Sequence, residues 1–189
     1  MKIITKMTMA GTALLPMLAQ AHPGHHQHDA GFWTGFIHPF TGLDHLVMVL
    51  SFGVLMWTVS KYGKMIGALG LVVALLIGFA MGAQQWIPVS IAEYGIIASL
   101  LVVAVAMWTK SNRMLVMTAM VLATFHGIAH GVELGAEGHV LSQMMGMISA
   151  MAVLYATGLG LGALITLYVP QAKKLIGAIA ATVAVLGLI

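Results

Sequence analysis

The chain contains no cysteine, which excludes disulfides and thiolate metal sites. A bound metal would have to be held by histidine, carboxylate, methionine or backbone oxygen. Charge is almost as scarce: only 7% of the 189 residues are Asp, Glu, Lys or Arg, against roughly 25% in an average soluble domain. The net charge of +3 comes from basic residues scattered singly or in pairs between apolar runs, which is not a nucleic-acid footprint. No Walker A pattern is present, so the chain does not itself hydrolyse ATP, and no HExxH pair is present either. Strand-like alternation is also missing.

What is present is apolar. Hydrophobic residues make up 60% of the chain, and the mean hydropathy is +1.00. Both values belong to an all-α integral membrane protein, and the length suits one compact helical bundle. Residues 1–21 resemble a cleaved signal peptide. Lys2 and Lys6 give a positive start, an apolar stretch runs from Met7 to Leu18, and Ala19-Gln20-Ala21 is an A-x-A cleavage pattern. The helix-breaking Pro16 and the polar residues after Ala21 weigh against an uncleaved first span. The mature chain would then begin with HPGHHQHD, whose His22, His25, His26 and His28 form a metal-attracting tract within a segment of residues 22–37.

Six apolar segments follow in the remaining domain, residues 38–189. They run from Gly42 to Val59, Met65 to Ala83, Ile91 to Thr109, Met114 to Val132, Leu141 to Leu161 and Leu175 to Ile189. Each is roughly long enough to cross a bilayer, the last being the shortest, so a six-transmembrane-helix bundle is expected. Lys61 and Lys64, Lys110 and Arg113, and Lys173 and Lys174 occupy alternate loops, whereas the others hold Glu93, Glu137 and His139. By the positive-inside rule the basic loops are cytoplasmic and both mature termini periplasmic, in the inner membrane of a bacterium. Small residues recur at Gly78-x-x-x-Gly82, at Gly127-x-x-x-Gly131 and at Gly158, Gly160 and Gly162, a spacing that lets membrane helices approach closely.

Ionisable residues at lipid depth are costly, roughly 2.5 kcal/mol or more each, so the exceptions are informative. In FHGIAHGVE, His126, His130 and Glu133 fall at i, i+4 and i+7, on one helical face. The start of the first segment, HPFTGLDHLVM, adds His38, Asp44 and His45, with Met48 a turn further. The expected topology puts both groups on the outer side, where they meet if the first and fourth helices pack together. Blander readings accompany each residue. Thr41-x-x-Asp44 resembles a capping box, His38 before Pro39 can simply shape the loop entering the membrane, and a single histidine can be a packing residue. Met48, Met117 and Met120 are core residues by default, and Glu93, Glu137 and His139 are expected to be solvated.

HPFTGLDH, from His38 to His45, and FHGIAHGVE, from Phe125 to Glu133, resemble the two signature motifs of the HupE/UreJ family. Its members are small secondary permeases for nickel and cobalt associated with hydrogenase and urease maturation. The resemblance extends over the mature chain and implies that His38, Asp44, His45, His126, His130 and Glu133 are the transport residues. It also implies an indirect role in supplying hydrogenase or urease. One departure is visible: family members often carry a histidine in the fifth helix, where this chain has Tyr155 in AVLYATGLG.

The expected function is therefore uptake of Ni²⁺, and secondarily Co²⁺, with no prosthetic group and no enzymatic activity. The cytoplasmic halves of the segments hold no carboxylate or histidine, which makes a proton relay across the whole bilayer hard to build. Membrane potential suffices instead: an inward divalent cation gains roughly 2 × 2.3 kcal/mol per 100 mV. Two other classes compete. One is a membrane-embedded zinc-dependent hydrolase using the same cluster; the other is a haem protein with His or His/Met ligation.

Overall fold

The computed structural model describes residues 31–109, 113–134 and 139–188. These residues form helices and turns, with no strand among them. The signal-peptide reading, the four histidines from His22 to His28, Lys110 and Glu137 lie outside the described residues. The helices are α1 (Phe32–Thr41), α2 (Leu43–Met56), α3 (Lys61–Ala83), α4 (Val89–Trp108), α5 (Arg113–Leu122), α6 (Thr124–Leu134), α7 (Val140–Tyr168) and α8 (Ala172–Leu186).

The chain is a multi-pass membrane protein: α3, α4, the α5–α6 pair and α7 are each long and apolar enough to cross a bilayer. The first expected segment differs in form. It is a broken unit in which α1 and α2 meet at 79°. Pro39 lies inside α1 and cannot donate a backbone hydrogen bond. Gly42, at the junction, is extended at φ −82° and ψ 113°. The carbonyl of His38 accepts from both the Gly42 amide at 3.1 Å and the Thr41 hydroxyl at 2.9 Å, which closes the end of α1. His38 is thus a helical residue and not part of an entry loop. The capping-box expectation also fails in its details, because Gly42 is the cap residue of α2 and makes no side-chain cap hydrogen bond. The last segment is shorter than a span: the 15 residues of α8 reach about 22 Å, against roughly 30 Å of hydrocarbon. By contrast, α7 continues seven residues past the expected end at Leu161, to Tyr168.

Glycines set the helix pairing. Gly78 and Gly82 on α3 face Gly127 and Gly131 on α6. A Cβ at Gly78 would collide with the Thr124 carbonyl, one at Gly82 with that of Ile128, one at Gly127 with that of Leu75 and one at Gly131 with that of Phe79. The two small-xxx-small motifs are therefore the two halves of one backbone contact. Gly35 and Gly146 join α1 to α7 in the same way. Gly160 is different: nothing lies within 4 Å of a Cβ built there.

These contacts also sort the charges. Gly70 meets Met120, Gly78 meets Thr124 and Gly82 meets Ile128, so α3 and α5–α6 run parallel, with Lys61, Lys64 and Arg113 at one end. Trp108 Nε1 donates to the Lys174 carbonyl at 2.9 Å, and Lys64 Nζ lies 4.0 Å over the Trp57 ring. All described Lys and Arg residues therefore gather at the end of the bundle remote from His126 and His130. Tyr155 belongs to the basic half: its hydroxyl donates to the Lys64 carbonyl at 2.8 Å, and its ring sits 6.2 Å from Phe52. Replacing Tyr155 by phenylalanine deletes this one interhelical bond and keeps the ring. The expected destabilisation is about 0.6 to 1.7 kcal/mol, readable by denaturant unfolding in detergent; an unchanged unfolding midpoint would refute the bond's contribution.

Candidate metal site

Two interruptions of helical regularity adjoin the same site. The first is the α1–α2 bend at Gly42, which aims His38 from one helix and Asp44 and His45 from the next. The second is a one-residue break at Ala123 between α5 and α6. There the His126 amide bonds back to the Ala123 carbonyl at 3.2 Å, a three-residue closure that tightens the turn just before the histidine pair. Discontinuous helices at an ion site are a recurring device of membrane transporters. On α6 each glycine follows a histidine, in His126-Gly127 and His130-Gly131. Clamping the glycines onto α3 turns the imidazoles, about 100° away around the helix, toward α2.

The result is a compact imidazole cluster. Nε2 of His45 and Nε2 of His130 are 2.8 Å apart. The His38 ring lies 4.7 Å from that of His130 and 5.6 Å from that of His45, and the His126 ring lies 4.7 Å from that of His45. His45, His126 and His130 are buried. Carboxylates stand behind the two central rings: Asp44 Oδ2 is 3.0 Å from His45 Nδ1, and Glu133 Oε2 is 3.9 Å from His130 Nδ1. Asp44 Oδ2 is also 4.0 Å from His126 Nε2.

This arrangement suits a cation, although a neutral pair is also satisfied when one ring donates its Nε2–H to the other. A neutral imidazole carries one proton. If His45 and His130 both turn Nδ1–H toward their carboxylates, two Nε2 lone pairs face each other at 2.8 Å. Either a shared proton or a metal ion between them relieves that repulsion. Carboxylate–histidine pairs that orient an imidazole toward a metal are a common outer arrangement in metalloproteins. Two overlapping groups have donor atoms within 4.8 Å of one another: His38, His45 and His130, and Asp44, His45 and His126. His45 belongs to both. Neither ring nitrogen of His126 has a hydrogen-bond partner, although the residue is buried, as expected of a donor kept free for a ligand.

All six residues singled out in the two motifs thus lie at this one place, with Glu133 at its exposed edge. Glu93 and His139 are exposed and belong to neither ligand group. Met48 is buried as expected, but Met117 is 50% exposed on the outer face of α5 and is not a core residue. Sequence reasoning overlooked the two methionines that α7 brings beside the histidines, Met147 and Met151. Their spacing of four residues on one helix was the available signal. A haem cannot sit between His45 and His130, because imidazole nitrogens 2.8 Å apart leave no gap for a porphyrin plane.

Comparison with known proteins agrees with the motifs. The chain is 29% identical over 161 residues to Protein HupE of Rhizobium leguminosarum bv. viciae, a match covering 83% of this chain and 82% of that one. No solved structure matches. Residues 10–188 match the family model described as HupE / UreJ protein; with both motifs converging on one cluster and the match covering nearly the whole length, the chain belongs to the HupE/UreJ family.

Proposed function

We propose that the protein takes up Ni²⁺, and Co²⁺ as a second substrate, from the periplasm across the bacterial inner membrane. The observation that carries this reading is the pair of Nε2 atoms 2.8 Å apart, each ring backed by a carboxylate and each supplied by a different interrupted helix. Ligands held at about 2.1 Å and at right angles around one ion are roughly 3.0 Å apart. The pair thus has nearly the bite of two adjacent positions in a tetragonal or octahedral site, and tetragonal nitrogen and oxygen coordination suits Ni²⁺. His38, His45 and His130 form the first resting place. Asp44 and Glu133 orient the imidazoles there, and the adjoining group of Asp44, His45 and His126 accepts the ion next through the shared ring of His45.

Orientation follows from charge. The Lys and Arg residues gather at the end opposite the histidines, and the positive-inside rule makes that end cytoplasmic. The mature chain, cleaved after Ala21, then starts outside. His22, His25, His26 and His28 collect ions there before they shed water into the cluster. Inward movement is driven by membrane potential, worth about 2.3 kcal/mol per charge per 100 mV. The ion delivered inside is available to hydrogenase or urease maturation. The cluster borders a cavity with room for about one water-sized sphere, which fits an ion and not the organic substrate that a zinc hydrolase would need.

Reconstitution tests the proposal. Liposomes containing the purified protein and held inside-negative are expected to accumulate radiolabelled nickel, and the His130→Ala protein is expected to accumulate no more than protein-free liposomes. Equal accumulation by wild type and His130→Ala would sink the assignment of His130. Absence of potential-driven flux in the wild type would sink the transport reading itself.

A further inference from the structure

Methionine is abundant here, with 16 residues, and three of them are gathered beside the histidines. Met48 on α2 and Met147 and Met151 on α7 line the same small cavity as His45, His126 and His130. All three are buried, at 1%, 3% and 9% exposure. The other wall residues are aliphatic side chains and Pro39. Sulfur is therefore the only side-chain lone-pair donor the cavity offers besides imidazole.

Leucine or isoleucine would fill such a wall with better-defined rotamers, so packing alone does not call for three thioethers at one spot. Their position along the helices matters as well. Met48 is one turn inward of Asp44 and His45 on α2. On α7, Met147 and Met151 are followed one turn later by Tyr155, whose ring meets that of Phe52. Gly53 on α2 faces Gly158 on α7, which sets Met147 level with the start of α2 beside the histidines, whereas Met48 and Met151 stand deeper, ahead of the aromatic pair and the lysines.

A divalent cation leaving the imidazoles toward hydrocarbon alone would face the steep cost of an uncompensated ion in an apolar medium. Thioethers lower that cost without creating a trap. They are soft, neutral ligands that hold borderline ions such as Ni²⁺ and Co²⁺ weakly and hard ions such as Mg²⁺ and Mn²⁺ hardly at all. Conduction requires this kind of weak, multi-site binding, in which an ion that enters can also leave.

We infer that Met48, Met147 and Met151 form a further station beyond the two histidine groups, a thioether site in which Met147 meets the borderline divalent cation at the level of the histidines and Met48 and Met151 receive it on its inward path, and which rejects hard cations. This inference rests on the transport reading above. It gives the fifth expected span, α7, a ligand contribution through sulfur although it carries Tyr155 and no histidine.

The test replaces the three methionines by leucine, together and singly, in the full-length protein, with Met145→Leu on the exposed face of α7 as control. Two readouts are taken: equilibrium nickel binding by the purified protein, and nickel uptake into inside-negative liposomes. The triple variant is expected to bind nickel with the wild-type affinity at the histidines, which also reports that it folds, and to take it up about tenfold more slowly or worse, the scale of losses seen when a metal's supporting groups are removed. Met145→Leu is expected to match the wild type. If the triple variant loses binding, the single variants carry the comparison. Wild-type uptake in variants that bind nickel normally overturns the thioether station and leaves the transport reading standing. No uptake by the wild-type protein overturns both.

Discussion

Substitution of His45 by alanine is expected to bring nickel uptake to the protein-free level, and to cost more binding than loss of any other imidazole in the cluster. The reason is its double membership. One nitrogen of His45 faces His130 Nε2 at 2.8 Å, and the other faces the Asp44 carboxylate at 3.0 Å, so one ring links the two candidate ligand groups. His126→Ala removes a donor from only one of them. Asp44→Asn should sit between the extremes. An amide can still orient the His45 ring but supplies no negative charge, and losses of outer carboxylates are typically about 10–100-fold in metal affinity or activity. Titration calorimetry with nickel, paired with uptake, provides the ranking. The hub role fails if His45→Ala and His126→Ala bind nickel equally well.

The second large effect is architectural. Gly127→Leu is expected to prevent α6 from docking on α3, with loss of monodisperse protein in detergent and of nickel uptake. A Cβ at this position already meets the Leu75 carbonyl and lies 2.9 Å from the Phe79 amide nitrogen and 3.0 Å from Gly78 Cα. These are backbone atoms of a regular helix and cannot swing aside as a side chain would. Overpacking a core typically costs about 1–3 kcal/mol when side chains can adjust, and here whole helices must part. Gly160→Leu is the matched control on the same bilayer scale, since a Cβ there meets nothing within 4 Å; its stability should change by no more than about 0.5 kcal/mol. Equal thermal stability of the two variants would refute the clamp. The clamp also explains function, because Gly127 and Gly131 alternate with His126 and His130. Parting α3 from α6 rotates the imidazoles away from α2.

Much of this was legible in the sequence, for physical reasons. A bilayer forbids unpaired backbone and unpaid charge, so apolar runs marked the helices, and the few buried ionisable groups marked the site. His126, His130 and Glu133 could be placed on one face because an unbroken helix fixes their angular spacing. Pairing Gly78 and Gly82 with Gly127 and Gly131 could not be read, because one-dimensional spacing says that a helix can be approached closely and not by which partner. The α1–α2 bend was hidden as well. Pro39 and Gly42 suggested only a boundary, whereas the carbonyl of His38 taking two hydrogen bonds closes a separate helix at Thr41 with His38 in its last turn.

By itself, the sequence determined the membrane-embedded helical class, the exclusion of thiolate chemistry and the identity of the six polar residues that converge. Each follows from residue type and local periodicity, which are properties of the chain alone. Tertiary structure decided what those residues do together. It made His45 the shared ring, set Asp44 and Glu133 behind imidazoles, placed Tyr155 against Phe52 in the basic half, and brought Met147 and Met151 beside the histidines. Those outcomes depend on which helix faces which, and helix faces are chosen by close packing between residues far apart in sequence.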